Sequence, residues 1–113
     1  MSTRHCLSLD LKDDPATIQE YDDWHARVWP EVLESLTAAG IVNMQIYRII
    51  NRLFMIIETD DSFSFERKAA MDAANPKVQA WEAMMAQLQQ PLPGSAPGEK
   101  WKLMTKVFEL QQP

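Results

Sequence analysis

The run Asn43-Met-Gln-Ile-Tyr47-Arg-Ile-Ile50-Asn51-Arg52-Leu53-Phe-Met-Ile-Ile57-Glu58 decides how the chain folds. Asn43 to Ile50 and Leu53 to Glu58 are rich in Ile, Phe, Tyr and Met, side chains that suit a pleated, half-buried surface. Only Asn51-Arg52 separates the two runs, a spacing that predicts a tight β-hairpin. Apolar residues fall on both faces of this hairpin, so one face meets the protein's own core and the other needs a different cover.

Upstream, the larger side chains of Pro15 to Ala39 fall at Ile18, Tyr21, His25, Val28, Val32, Leu36 and Ala39. Steps of three and four place them on one helical face. Asp14 suits an N-cap and Pro15 a first helical position. Pro30 removes a helical hydrogen bond and pushes Trp29 out of the α region, which predicts two helical pieces meeting near Trp29. Gly40 ends the second piece. Before the helices, His5, Leu7, Leu9 and Leu11 alternate with Cys6, Ser8 and Asp10, the period of a half-buried strand.

Downstream of the hairpin, Thr59 to Ser62 offers N-caps for a short helix from about Phe63 to Met71. Asn75-Pro76 opens another, with Val78, Trp81, Met84, Met85 and Leu88 at helical spacing. Pro91 to Lys100 holds three prolines and two glycines and reads as an irregular loop. Leu103 to Leu110 reads as a closing strand, with Met104, Phe108 and Leu110 sharing a face. The order is β-α-β-β-α-β with both helices broken, an α+β chain of the ferredoxin-like type with helices on one face of an antiparallel sheet. Residues 1–113 form a single domain. The uncovered sheet face predicts a homodimer, a dimeric α/β-barrel-type assembly.

Composition narrows the chemistry. The formal net charge of -5 and the scattered Lys and Arg residues argue against nucleic acid and against anionic membrane surfaces. A single cysteine, with no secretory or membrane-spanning segment, fits a soluble cytoplasmic protein. His5, His25 and Cys6 have no metal-ligand spacing, so no metal is expected. Three glycines and no Gly-rich loop leave no nucleotide-cofactor signal. No Gly-x-Ser-x-Gly elbow occurs, and Cys6 reads as a small core residue in a strand. The acids Asp22, Asp23, Asp60 and Asp61 read as solvated caps and faces.

What remains is acid-base chemistry. Tyr21 and His25 lie four apart, one above the other on the inward face of a helix. Imidazole exchanges protons near neutral pH and suits a general acid or base. The same position suits a core histidine whose nitrogens are tied to backbone or to Tyr21, and spacing alone leaves both readings open. Trp81 is either core or a flat apolar platform for a sugar ring. Trp24 and Trp29 cannot both share the Tyr21/His25 stripe, so at least one is expected against the sheet edge or a partner subunit.

The motif Tyr21-x-x-x-His25-x-x-x-Trp29-Pro30-Glu31, then Gly40-x-x-Asn43-x-x-Ile46-Tyr47, Arg52-Leu53-Phe54, Trp81-x-x-Met84 and Val107-Phe108, resembles the L-rhamnose mutarotase family. The resemblance runs from about Leu7 to Leu110. It implies a small ferredoxin-like homodimer that interconverts α and β sugar anomers without metal or cofactor. By position, His25 corresponds to the family's catalytic proton donor and Tyr21 to a sugar-binding tyrosine. Trp81 corresponds to the second of two adjacent pocket tryptophans. Met44, Tyr47 and Trp29 are the further candidates for substrate binding. Two positions depart: Met44 replaces a second sugar-binding tyrosine, and Ala80 replaces the first paired tryptophan. Both changes are expected to enlarge or depolarise the pocket wall, shifting the expected monosaccharide from L-rhamnose toward L-fucose, another 6-deoxy sugar. Fold analogy alone leaves a cofactor-free monooxygenase or a small-ligand binding module as the alternatives.

Overall fold

The computed structural model describes residues 2–111. Strand β1 (Thr3–Leu11) leads into helices α1 (Pro15–His25) and α2 (Pro30–Ala38). The hairpin strands β2 (Ile41–Ile49) and β3 (Arg52–Thr59) follow, then α3 (Phe65–Ala73) and α4 (Pro76–Ala86). Two short strands, β4 (Gln89–Gln90) and β5 (Lys102–Leu103), complete the order. The sheet runs β2-β3-β1, and β4 and β5 share the remaining edge of β1. All pairings are antiparallel. The architecture is the expected ferredoxin-like α+β fold, with β4 as an addition that the sequence pattern did not signal.

Local chemistry fixes each boundary. The Asp14 carboxylate accepts from the Thr17 amide and hydroxyl, both at 2.9 Å, and Pro15 opens α1. Pro30 opens α2, with Trp29 extended as its N-cap (φ −60°, ψ 138°), so the helix breaks where Pro30 requires. Gly40, at φ +99°, follows the Ala39 C-cap of α2. A Cβ there would stand 2.6 Å from Asp60 Oδ1, so glycine is required by space as well as by backbone. Arg67, one turn into α3, donates to the Ala38 and Ala39 carbonyls at the end of α2. The Ser64 hydroxyl caps α3 and the Asn75 side chain caps α4.

The hairpin turn sits one residue earlier than expected. Ile49 pairs with Arg52, so Ile50-Asn51 form the loop. Asn51 is held by β1: its side-chain amide donates to the Leu11 carbonyl at 3.0 Å, and its carbonyl accepts from the Leu11 amide at 2.7 Å. Arg52 is drawn into β3 by a two-pronged ion pair with Asp10 at 2.7 and 3.0 Å.

The closing strand is far shorter than expected. Beyond Leu103 only the Met104 amide bonds to β1, at the Cys6 carbonyl, and residues 104–110 adopt no regular structure. Val107, Phe108 and Leu110 are exposed. A strand needs a paired edge and a covered face, and after Met104 the single chain supplies neither.

The core lies between the sheet and the helices, in two clusters. Leu11, Tyr21, Val32, Leu53, Trp81, Met85 and Leu88 form one, and Leu7, Ile41 and Ile57 the other. Cys6 is not in either cluster. It alternates with Leu7 and is half-buried on the opposite sheet face, across from Ile56. Trp24 and Trp29 do not pack on the sheet edge: both meet Trp81 edge-to-face, with centroids at 6.2 and 5.3 Å. Asp22 is no idle surface acid. Its carboxylate takes the Arg48 guanidinium at 3.0 and 2.6 Å, tying α1 to β2.

Candidate active site

Between the helices and the inner sheet face lies a cavity of about 630 Å³, within the usual range for small-molecule sites. Tyr21, His25, Met44, Ile46, Trp81 and Met85 contribute to its wall. A side pocket of about 260 Å³ shares Tyr21, His25 and Ile46 and is bounded by Asp22 and Arg48.

His25 is the last residue of α1, so its ring stands where the chain leaves the helix before Pro30. Its Nδ1 lies 2.8 Å from the Tyr21 carbonyl, one helical turn back. A carbonyl only accepts, so Nδ1 carries the proton in the neutral ring and Nε2 is the nitrogen left to exchange one. Burial holds the imidazole below its ordinary pKa of 6.5, against the opposing pull of the Tyr21 carbonyl and the Asp22 charge. At pH 7 the ring is therefore neutral, with Nε2 as a base.

The Tyr21 ring stacks on His25, with centroids 4.0 Å apart at 26°. Tyr21 is buried, and burial together with the Asp22 charge pushes its phenol well above the ordinary 10.0. The phenol thus stays protonated and able to donate at any working pH. Trp81 completes the group, its indole 5.6 Å from the His25 ring at 71°. Only 7% exposed, Trp81 is core and cavity wall at once. Truncating a buried Trp typically costs about 3–5 kcal/mol, so a Trp81 variant cannot separate folding from function.

The structure brings Tyr21, His25, Trp81 and Met44 into one cavity. It does not bring Tyr47 or Trp29 there. Tyr47 pairs with Phe54 on the outer face, because strand alternation turns Met44 and Ile46 inward and the residue between Ile46 and Arg48 outward. Trp29, as N-cap of α2, lays its indole on Trp81 from outside the cavity. Ala80 is exposed and does not line the cavity, so it leaves the wall unchanged, whereas Met44 does line it.

Sequence reasoning missed Glu82, Gln89, Lys100 and Trp101, all in the lining. For Glu82 the signal exists: Val78, Glu82 and Met85 run at helical spacing beside Trp81. Lys100 and Trp101 arrive from an irregular loop, whose course no periodicity encodes. Among the described residues no group of three or more His, Cys, Asp or Glu side chains could hold a metal ion. Among the described residues no helix is long and apolar enough to cross a membrane.

Comparison with known proteins gives this arrangement its family. The family model described as L-rhamnose mutarotase matches residues 4–110. An L-fucose mutarotase of Xanthomonas campestris pv. campestris is 47% identical over 96% of this chain and 89% of its own length. An L-rhamnose mutarotase of Phocaeicola vulgatus is 32% identical over 83% of this chain and 86% of its own. The crystal structure of an L-rhamnose mutarotase from Formosa agariphila has a TM-score of 0.70 at 22% identity, covering 96% of this chain and 99% of that one, a likeness of fold. A match over nearly the whole length sets aside the monooxygenase and binding-module readings, and the chain belongs to the L-rhamnose mutarotase family.

Proposed function

We propose that the protein is an L-fucose mutarotase in which His25 moves the protons and Tyr21 and Trp81 hold the sugar. The observation that carries this reading is the His25 ring itself: Nδ1 is fixed by the Tyr21 carbonyl, leaving Nε2 free to exchange protons. L-fucose is favoured over L-rhamnose because the 47% identical relative is an L-fucose mutarotase. Met44 on the cavity wall suits the 6-methyl group that both deoxy sugars carry, which supports the substrate class and not the choice between the two.

Mutarotation needs two proton transfers and no net redox change. Neutral His25 takes the proton of the anomeric hydroxyl at Nε2 as the bond from C1 to the ring oxygen breaks. The ring oxygen takes a proton from a water that the Tyr21 hydroxyl orients. The open aldehyde then rotates about C1–C2. Reclosure on the other carbonyl face reverses both transfers, returning His25 and its partner to their starting states. Because the uncatalysed reaction already runs in water, general acid-base help of about 10²–10⁴-fold accounts for a useful enzyme.

Saturation-transfer NMR between the α and β signals of L-fucose tests this directly. Wild-type protein is expected to raise the exchange rate, and His25→Ala to return it to the buffer value with the fold retained. Undiminished exchange in His25→Ala would sink the assignment. We place the enzyme in the cytoplasm, where a lone free thiol such as Cys6 is kept reduced. We also read it as a homodimer, closed through the outer face of the sheet.

A further inference from the structure

We infer that Gln89 is a substrate-positioning residue that reads a ring hydroxyl remote from the anomeric carbon. The inference rests on the mutarotase reading above and extends it to a second point of the same cavity.

Gln89 is held rigidly. It pairs with Leu11 across the β1–β4 ladder, and the Lys12 amide donates to the Leu88 carbonyl just before it at 2.9 Å. Cross-strand partners share a face. Leu11 is fully buried on the helix-facing side, so Gln89 also points inward, and it lines the cavity with Tyr21, His25 and Trp81. Yet its side-chain Oε1 is buried and has no hydrogen-bond partner. An orphaned buried acceptor is costly and uncommon, and in a cavity wall it points to a partner that arrives with the ligand. Exchanging the amide O and N leaves the conclusion intact: one end of the carboxamide is then an orphaned donor instead. A sugar hydroxyl donates and accepts, so it satisfies either end.

Placement says which hydroxyls. Trp81 stands beside His25, and Gln89 lies past the C-terminal end of α4, on the wall of the same cavity. With the anomeric carbon at His25, a hydroxyl read by Gln89 is one of those away from C1, and the C3 and C4 hydroxyls are the farthest from it around the ring. L-fucose and L-rhamnose differ in configuration at C2 and C4, so a group reading C4 would also choose between them.

The test is a comparison of Gln89→Met and Gln89→Glu with wild type, on L-fucose and on its 3-deoxy and 4-deoxy analogues, by exchange NMR. Gln89→Met removes the hydrogen-bonding end at similar volume, and Gln89→Glu keeps an acceptor. For L-fucose, Gln89→Met is expected to lower kcat/KM about tenfold, chiefly through KM, with Gln89→Glu retaining more of it. For the analogue lacking the hydroxyl that Gln89 reads, wild type and Gln89→Met should be equal. Equal losses on every sugar would reduce Gln89 to a packing residue, and no loss on any would assign its oxygen to water alone. Either result overturns the inference. If the wild-type protein exchanges no sugar, the mutarotase reading fails instead. Chemical-shift titration of wild type and Gln89→Met with L-fucose then still decides Gln89, because equal affinities overturn its role.

Discussion

At the scale of single residues, the base role proposed for His25 predicts how activity depends on pH. A lowered imidazole pKa means that Nε2 stays a base into mildly acidic solution. Exchange should therefore hold steady through pH 7 and fall only as pH drops through the His25 pKa, with the acid midpoint below 6.5. An acid limb at or above 6.5, in exchange rates corrected for the buffer reaction, would contradict the buried, neutral histidine. No alkaline limb from Tyr21 is expected near pH 10, since its phenol is pushed above the ordinary value. Stability follows the same sign. The unfolded chain binds this proton more readily than the folded one, so His25's contribution is full above about 6.5 and is lost as pH falls through the lowered value. The same ring thus links stability and chemistry: where it protonates, the fold loses support and the base is gone.

At the scale of elements, the turn between β2 and β3 carries the one avoidable strain. Ile50 sits at φ +55°, the only non-glycine residue with positive φ among those described, and its side chain is 70% exposed. A left-handed conformation costs an L-residue about 1–2 kcal/mol, while glycine there adds about 0.5–1 kcal/mol of unfolded-chain entropy. Ile50→Gly should therefore raise stability slightly, by about 0.5–1 kcal/mol in a denaturant titration. A lower midpoint would mean that Ile50 makes a contact outweighing its strain. The same hairpin shows what was legible in the sequence. The strand runs, the broken first helix and the Gly40 stop follow from side-chain period, Pro30 and a steric demand, all local to the chain. The turn register was not legible, because Arg52 and Asn51 answer to Asp10 and Leu11 some 40 residues away. Likewise the Tyr21–His25 pair follows from helical spacing. That Tyr47 faces outward follows from β2 pairing, where Met44 lies across from Ile57 and Tyr47 from Phe54. Neither a motif nor a resemblance carries that register. Gln89 was missed because β4 is two residues long, too short to leave a period.

At the scale of the whole molecule, the sheet has one covered face and one open one. Its inner face carries Leu7, Leu9, Leu11, Leu53 and Ile57, all buried under the helices. Its outer face presents Tyr47, Ile49, Phe54 and Ile56, with the Arg52–Asp10 and Arg4–Glu58 ion pairs alongside. Tyr47 is 55% and Ile49 72% exposed. An apolar sheet face rimmed by charge is the form of an association surface, and the proposed homodimer would join two copies of it with two-fold symmetry. The unpaired tail points the same way: Val107, Phe108 and Leu110 have a strand's composition and nothing in their own chain to bury against. Sedimentation equilibrium should thus give about twice the 13.0 kDa chain mass. Tyr47→Asp should shift the protein toward monomer. Tyr47 is already half open in the single chain, so its replacement costs the monomer fold little and the shift reports the interface. Anomer exchange in that variant then asks whether the cavity is complete within one chain. Tyr21, His25 and Trp81 stand on the helix side of the sheet, opposite the face that carries Tyr47, so a monomeric Tyr47→Asp should keep most of its kcat. A wild-type mass of 13.0 kDa, or an undisturbed dimer in Tyr47→Asp, would place the association elsewhere or remove it.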